Sequence, residues 1–200
     1  IEAYNKALAI KPDYAEAYNN MGHALHDQGK FDEALEAFNK ALSIKHNFSK
    51  ALYNIGNTLR EQNKLKEAIE SYNKALAIKP DYAEAYNNKG VCQQGNYEIK
   101  EAIESYNKAI TIKPDFASAH RNLSSIKKYK VNDGHFIQVK ELFKKESLDE
   151  DSRCKLSFAL AKMYEDIGNT EKAFAHLTEG NILRKKILNF SIKPERENIY

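Results

Sequence analysis

Cysteine is nearly absent from this 200-residue chain, with Cys92 and Cys154 standing alone and without paired spacing. That excludes a disulfide framework, argues against a zinc site, and suits a reducing compartment. No apolar run approaches the ~20 residues that a helix needs to cross a bilayer, and the first residues repeat a later segment instead of resembling a signal peptide. A soluble, cytoplasmic protein with no membrane partner is expected. Net charge is also small, +3 at neutral pH although 30% of residues are charged. Glu and Lys interleave, so long-range attraction to nucleic acid is weak and no nucleic-acid partner is expected. The chain also lacks a glycine-rich phosphate loop, a nucleophile with an evident base, and metal-ligand spacing of real specificity. Neither catalysis nor a cofactor is expected of it.

Repetition is what the chain has. The string NKALAIKPDYAEAYNN runs from Asn5 to Asn20 and again, unchanged, from Asn73 to Asn88, a displacement of two 34-residue steps. A half-way copy lies around Asn39 to Lys45, and NKAITIKPD runs from Asn107 to Asp115. A fixed period of this length marks stacked units that cover one another's apolar faces. Ala34, Ala68 and Ala102 form one column of small residues, and Ala7, Ala41, Ala75 and Ala109 another. Gly22, Gly56 and Gly90 sit within helical patterns, where Gly costs roughly 1 kcal/mol relative to Ala, so close helix crossing is expected there. Tyr4, Phe38, Tyr72 and Tyr106 form a large-residue column expected to fill the space between consecutive units. Three of the four prolines, Pro12, Pro80 and Pro114, share a column, and Asp13, Asp81 and Asp115 behind them are the expected helix N-caps.

Each unit reads as two antiparallel helices with a short turn. On AYNNMG, GKFDEALEAFNKALSIK and the 34-residue period, residues 1 to about 123 resemble tetratricopeptide repeat proteins. The resemblance implies an all-α, right-handed superhelical solenoid, here of about eleven helices and no strands. It also implies a groove lined by the first helix of each unit, in which the family holds peptide segments of partner proteins. Residues 1–14 read as the second helix of an interrupted unit, 15–48, 49–82 and 83–116 as units, 117–150 and 151–187 as diverged helix pairs, and 188–200 as a tail or linker. Because Ile1 falls inside a unit, the chain reads as a fragment whose exposed first end, at Tyr4 and Leu8, is a candidate for self-association.

Departures from the period carry their own expectations. Lys89 and Gln93 replace the apolar Ile55 and Leu59, and Gly95 to Tyr97 reads as a turn two residues early. A shortened first helix and a lengthened second are expected, as drift in a tolerant repeat or as a kink in the groove. Beyond Leu123 one helix is expected to about Lys130 and another over Phe136 to Lys145. A capping box of Ser147 with Glu150 then opens a helix ending at Gly168, followed by a stripe of Ala173, Phe174 and Leu177. The segment 156–186, LSFALAKMYEDIGNTEKAFAHLTEGNILRKK, resembles the repeat region preceding the catalytic domain in bacterial fusions of tetratricopeptide repeats to a sulfotransferase. That resemblance implies an alternative role as an architectural or substrate-recruiting arm of an enzyme using the sulfate donor PAPS.

Asn20, Asn54, Asn88 and Asn122 recur at 34-residue steps, expected on the face opposite the tyrosine column. An amide offers both donors and an acceptor, which suits a peptide backbone; in related O-linked N-acetylglucosamine transferases such ladders hold extended peptides. The alternative is a solvated repeat residue. Asn19, His23, Lys50, Tyr53, Asn57, Asn87 and Arg121 complete the candidate peptide-binding groove. Only Lys50, Asn54 and Arg121 hint at a clamp for a terminal carboxylate, and the signs of charge are mixed. His23 and His26, three apart, read either as solvated residues or as a metal-binding pair.

Overall fold

The computed structural model describes residues 1–196, with side chains as far as Leu188. Among these residues it holds eleven helices and no strand: α1 (Glu2–Ile10), α2 (Ala15–Asp27), α3 (Phe31–Ile44), α4 (Ser49–Glu61), α5 (Leu65–Ile78), α6 (Ala83–Gly95), α7 (Ile99–Ile112), α8 (Ala117–Ile126), α9 (Gly134–Phe143), α10 (Glu150–Asp166) and α11 (Thr170–Arg196). They form two compact units, one of residues 1–108 and one from Ala109 onward.

In the first unit the glycine and aromatic columns meet. A Cβ at Gly22 would lie 2.6 Å from the Phe38 ring, and Cβ atoms at Gly56 and Gly90 would lie equally close to the rings of Tyr72 and Tyr106. The rings occupy the space that the missing side chains leave, and all three are at most 1% exposed. The aromatic column therefore fills the crevice within each helix pair, not the gap between units as expected. Burying such a ring stabilises by about 2–3 kcal/mol, more than offsetting the cost of a helical glycine. Ala34, Ala68 and Ala102 are fully buried beside them.

The turn inside each pair needs one residue in the left-handed region, and Gly29 (φ +74°), Asn63 (φ +59°) and Tyr97 (φ +62°) supply it at 34-residue steps. The third pair keeps register. With 13 and 14 residues, α6 and α7 match α4 and α5. The expected shortening and lengthening do not occur, because Tyr97 adopts the conformation that glycine provides in the first pair, leaving Gly95 helical. The polar replacements are absorbed locally: buried Gln93 accepts from the Ser105 hydroxyl at 2.6 Å, and burial pulls the Lys89 ammonium below its usual range.

Between pairs the motif Lys-x-x-aromatic builds the same turn four times. Lys11 lies over the Tyr14 ring at 5.2 Å, Lys45 over Phe48 and Lys79 over Tyr82 at 4.6 Å, and in the second unit Lys113 over Phe116 at 5.1 Å. Each contact adds about 0.5–1 kcal/mol. The aromatic residue is the N-cap, and its side chain makes no capping bond. Asp13, Asp81 and Asp115 are therefore not the caps expected from sequence; proline and aspartate are consumed by the turn, one residue outside the helix start.

The second unit abandons the spacing. Helix α8 ends at Ile126, short of Lys130, where Lys127 turns extended. Tyr129 is buried, and its backbone N–H donates to Asp166 Oδ2 at 3.2 Å while Lys128 reaches Oδ1 at 2.7 Å. Burial pushes the Asp166 carboxyl up, but hydrogen bonds from Lys128, Lys162 and Tyr129 outweigh it and hold the group below its usual range. These bonds are what the chain gains by leaving the helix. Asp133 caps α9, accepting from the His135 N–H at 3.0 Å, and Asp149 caps α10, accepting from the Ser152 N–H at 2.8 Å. The expected capping box of Ser147 with Glu150 does not form, because α10 starts at Glu150 and leaves Ser147 outside.

Phe174 and Leu177 are also misassigned, being 71% and 43% exposed. The covered stripe of α11 is Ala173, His176, Leu183 and Ile187, all half-buried, with Gly180 buried among them. It is selected by contacts with α10: the His176 ring stacks on Tyr164 at 5.5 Å, and the Cys154 thiol donates to the Gly180 carbonyl at 3.4 Å. Helix α11 continues to Arg196, so the expected tail from residue 188 is helical there, while residues 197–200 lie outside the described residues.

Candidate functional site

The first helices of successive pairs, α2, α4 and α6, pack side by side and bring the asparagines together. Asn54 Nδ2 donates to Asn19 Oδ1 at 2.9 Å, and Asn19 Nδ2 lies 3.4 Å from Asn20 Oδ1. At the next junction Asn88 Nδ2 donates to the Tyr53 hydroxyl at 3.0 Å and to Asn57 Oδ1 at 2.9 Å, while the Tyr72 hydroxyl donates to the same Asn57 oxygen at 2.7 Å. Asn87 Nδ2 closes the chain onto Asn88 Oδ1 at 3.1 Å. Each junction is thus tied by side chains 35 residues apart.

This arrangement divides the candidate residues. Asn19, Asn54 and Asn87 are buried, Tyr53, Asn57 and Asn88 are partly covered, and Asn20, His23 and Lys50 face solvent. Asn54 and Asn88 spend amide protons on the junctions, which fixes their rotamers and the spacing of the helices. At one junction an asparagine of the column meets the tyrosine column instead of lying opposite it, since Asn88 and Tyr72 share the Asn57 oxygen. His23 pairs with Asp27 at 3.0 Å. His26 Nδ1 lies 3.0 Å from the Thr58 hydroxyl, which gives its own proton to the Asn54 carbonyl; His26 Nδ1 therefore carries the hydrogen. Both imidazoles are engaged within the protein, not turned toward a common ligand. Asn122 and Arg121 lie on α8 in the second unit, where Arg121 is exposed with its guanidinium 5.6 Å from the Phe158 ring centre.

Sequence reasoning missed Tyr82 and the Tyr72 hydroxyl. The Tyr53 and Tyr82 rings lie 4.8 Å apart, and burial pushes the Tyr82 phenol up to about 12 and Tyr72 well above its ordinary range. Both stay protonated, so the Tyr72 O–H remains a donor. The change from Phe38 to Tyr72 and Tyr106 was a visible signal for the hydroxyl; nothing in the spacing marks the Tyr53–Tyr82 pair.

The second unit holds a buried relay that periodicity does not reveal. His120 Nε2 lies 2.8 Å from the Pro114 carbonyl, His120 Nδ1 2.8 Å from His135 Nε2, and His135 Nδ1 2.8 Å from the Tyr129 hydroxyl. A carbonyl only accepts, so Nε2 of His120 donates and every later link is fixed: His135 Nε2 donates to His120, and Tyr129 donates to His135. Both imidazoles are neutral in this pattern. Burial lowers the His120 pKa, and burial with the nearby His120 and Lys127 pulls His135 down to about 3. Among the described residues no group of three or more His, Cys, Asp or Glu could hold a metal ion, and no helix is long and apolar enough to cross a membrane.

A tetratricopeptide repeat family model matches residues 13–81 and 48–115, together just over half of the chain. No curated protein sequence matches it. Among solved structures it is similar to YrrB, described as a tetratricopeptide repeat protein with an unusual peptide-binding site, at 20% identity over 92% of this chain and 93% of that one, with a TM-score of 0.65. It is also similar to MamA, at 22% identity over 94% and 88% with a TM-score of 0.58. A third is the first such domain of Spaghetti (RPAP3) bound to an HSP90 peptide, at 23% identity over 56% and 89% with a TM-score of 0.55. At these identities the structures establish shared fold, and with the family match spanning the regular pairs, this chain belongs to the tetratricopeptide repeat family.

Proposed function

We propose that the chain is a protein-interaction scaffold that holds an extended segment of a partner protein across α2, α4 and α6. The observation that carries this reading is the set of junction bonds among Asn19, Asn54, Tyr53, Asn57 and Asn88. They lock three neighbouring helices and leave Asn20, His23 and Lys50 at the surface. A preorganised polar face loses less entropy on binding than a mobile one. Amides suit a backbone that both donates and accepts, at ~1 kcal/mol net per bond, so affinity from these contacts alone is modest. The peptide-binding site named for YrrB and the HSP90 peptide bound to RPAP3 belong to those proteins and support the mode of binding, not a particular partner. The resemblance of residues 156–186 to sulfotransferase fusions is carried by sequence alone.

The test is binding of the chain to an array of extended peptides, followed by fluorescence anisotropy on the best sequence. The double variant Asn20→Ala, Lys50→Glu is expected to weaken it at least tenfold, about 1.4 kcal/mol, with unchanged helicity. Lys40→Glu, an exposed change on α3, serves as the charge control. Equal affinity in the double variant, or the same loss in the control, removes the reading.

A further inference from the structure

The second unit contains a cavity of about 210 Å³ to which α8, α10 and α11 all contribute, lined by Arg121, Asp151, Cys154, Lys155, Phe158, Arg184, Ile187 and Leu188. Two of its lining side chains, Cys154 and Phe158, rest against Gly180 of α11. The glycine lets α11 approach Phe158 so closely that a Cβ would lie 3.2 Å from the ring, and its carbonyl takes the Cys154 thiol proton. The charges around the rim do not cancel. Lys155 is ion-paired to Asp151 one turn away on α10. Arg121 and Arg184 have no carboxylate partner among the described residues, and Arg121 lies across the Phe158 ring. Three cations face one carboxylate, and the walls between them are Phe158, Ile187 and Leu188. The cations converge: burial and Asp151 push the Cys154 thiol up, while Arg121, Arg184 and Lys155 all act on the same sulfur in the opposite sense. The raised, buried thiol is a poor nucleophile, so the cavity is suited to holding a molecule, not to reacting with it.

From this juxtaposition we infer a binding site for a small free carboxylic acid with an apolar body, the carboxylate held between Arg121 and Arg184 and the body laid on Phe158, Ile187 and Leu188. A guanidinium fork matches a carboxylate in two parallel bonds. A dianion such as phosphate is disfavoured, because the Asp151 carboxylate lines the same cavity. The volume lies below the roughly 300 Å³ at which pockets begin to take drug-sized ligands, which limits the occupant to a short acid of octanoate or phenylpropionate size. This site is separate from the peptide-binding reading and does not depend on it.

The experiment titrates the whole chain with octanoate by calorimetry and by NMR, alongside octanol and octanamide. Saturable octanoate binding is expected, with shifted resonances at Phe158 and Ile187 and at least tenfold weaker binding of both uncharged analogues. The double variant Arg121→Gln, Arg184→Gln is expected to lose at least tenfold in octanoate affinity. Both side chains are exposed, so folding is preserved and is verified by circular dichroism. A variant that misfolds is replaced by titration of the parent at rising salt, where octanoate affinity falls and octanol affinity does not. Octanol binding as tightly as octanoate, full affinity in the double variant, or no saturable binding overturns the inference. So does a peptide ending in Phe with a free carboxylate that binds tighter than octanoate, which would assign the site to a chain terminus.

Discussion

Acidification from pH 7.5 to 5.0 is expected to weaken the second unit by about 2 kcal/mol through His135 alone. Burial, with His120 and Lys127 nearby, drives its folded pKa down to about 3, against the smaller opposing pull of Asp133. The unfolded chain takes up a proton below about pH 6.5, and the folded chain refuses it. Stability from this group is therefore complete above pH 6.5 and drains as the pH falls toward 3. At pH 5.0 the interval crossed is about 1.5 units at about 1.4 kcal/mol each. His120 acts in the same direction, because a proton on its Nδ1 would face the His135 N–H across 2.8 Å. Carboxylates titrate lower in unfolded chains, near pH 4, and stay out of this window. Urea unfolding at the two pH values, read by circular dichroism, gives the slope, and NMR titration of the imidazoles assigns it. His135→Phe is expected to be less stable at pH 7.5, since Tyr129 and His120 lose a partner, yet to lose less on acidification; His176, also lowered by burial, supplies a residual slope in both proteins. An unchanged slope in the variant, or a His135 ring that titrates near pH 6.5, would refute the reasoning.

Two more outcomes follow from the first unit. Gly56→Ala places a Cβ 2.6 Å from the Tyr72 ring and is expected to cost about 1–3 kcal/mol through overpacking; a calorimetric midpoint at or above the parent's contradicts the fit between the two columns. Tyr97→Gly relieves a left-handed tyrosine at a ring that is 89% exposed and is expected to gain about 0.5–1 kcal/mol, read as a higher urea midpoint, with a lower midpoint counting against it.

The regular part of the fold was legible because its contacts recur at fixed sequence offsets. Gly22 with Phe38, Gly56 with Tyr72 and Gly90 with Tyr106 are the same contact three times, so the columns announce a packing reason even before the partner is known. Surroundings are another matter. The identical strings at Asn5–Asn20 and Asn73–Asn88 give the same helix, turn and helix start, yet Ile10 is 87% exposed and Ile78 37%. The difference lies in what packs alongside. Asn88 finds its partners 31 and 35 residues back, a matter of register between helices that composition does not encode. The caps were misread for a local reason, since an aspartate after proline looks like a cap unless the turn absorbs it. In the second unit Pro114, His120, Tyr129 and His135 converge from separate segments with no period to link them, and the stripe of α11 uses Gly180 and His176 where larger apolar residues attract the eye.

The two junctions of the first unit are fastened by the same geometry but different chemistry, amide to amide between Asn19 and Asn54, phenol to amide between Tyr53 and Asn88. Modules built on duplicated text risk docking in the wrong slot while the chain folds, or trading places with those of a neighbouring molecule. A tyrosine where its predecessor has an asparagine gives each seam its own address. A module moved by one position meets a partner of the wrong length, and the correct order is favoured without any change to the shared helical frame.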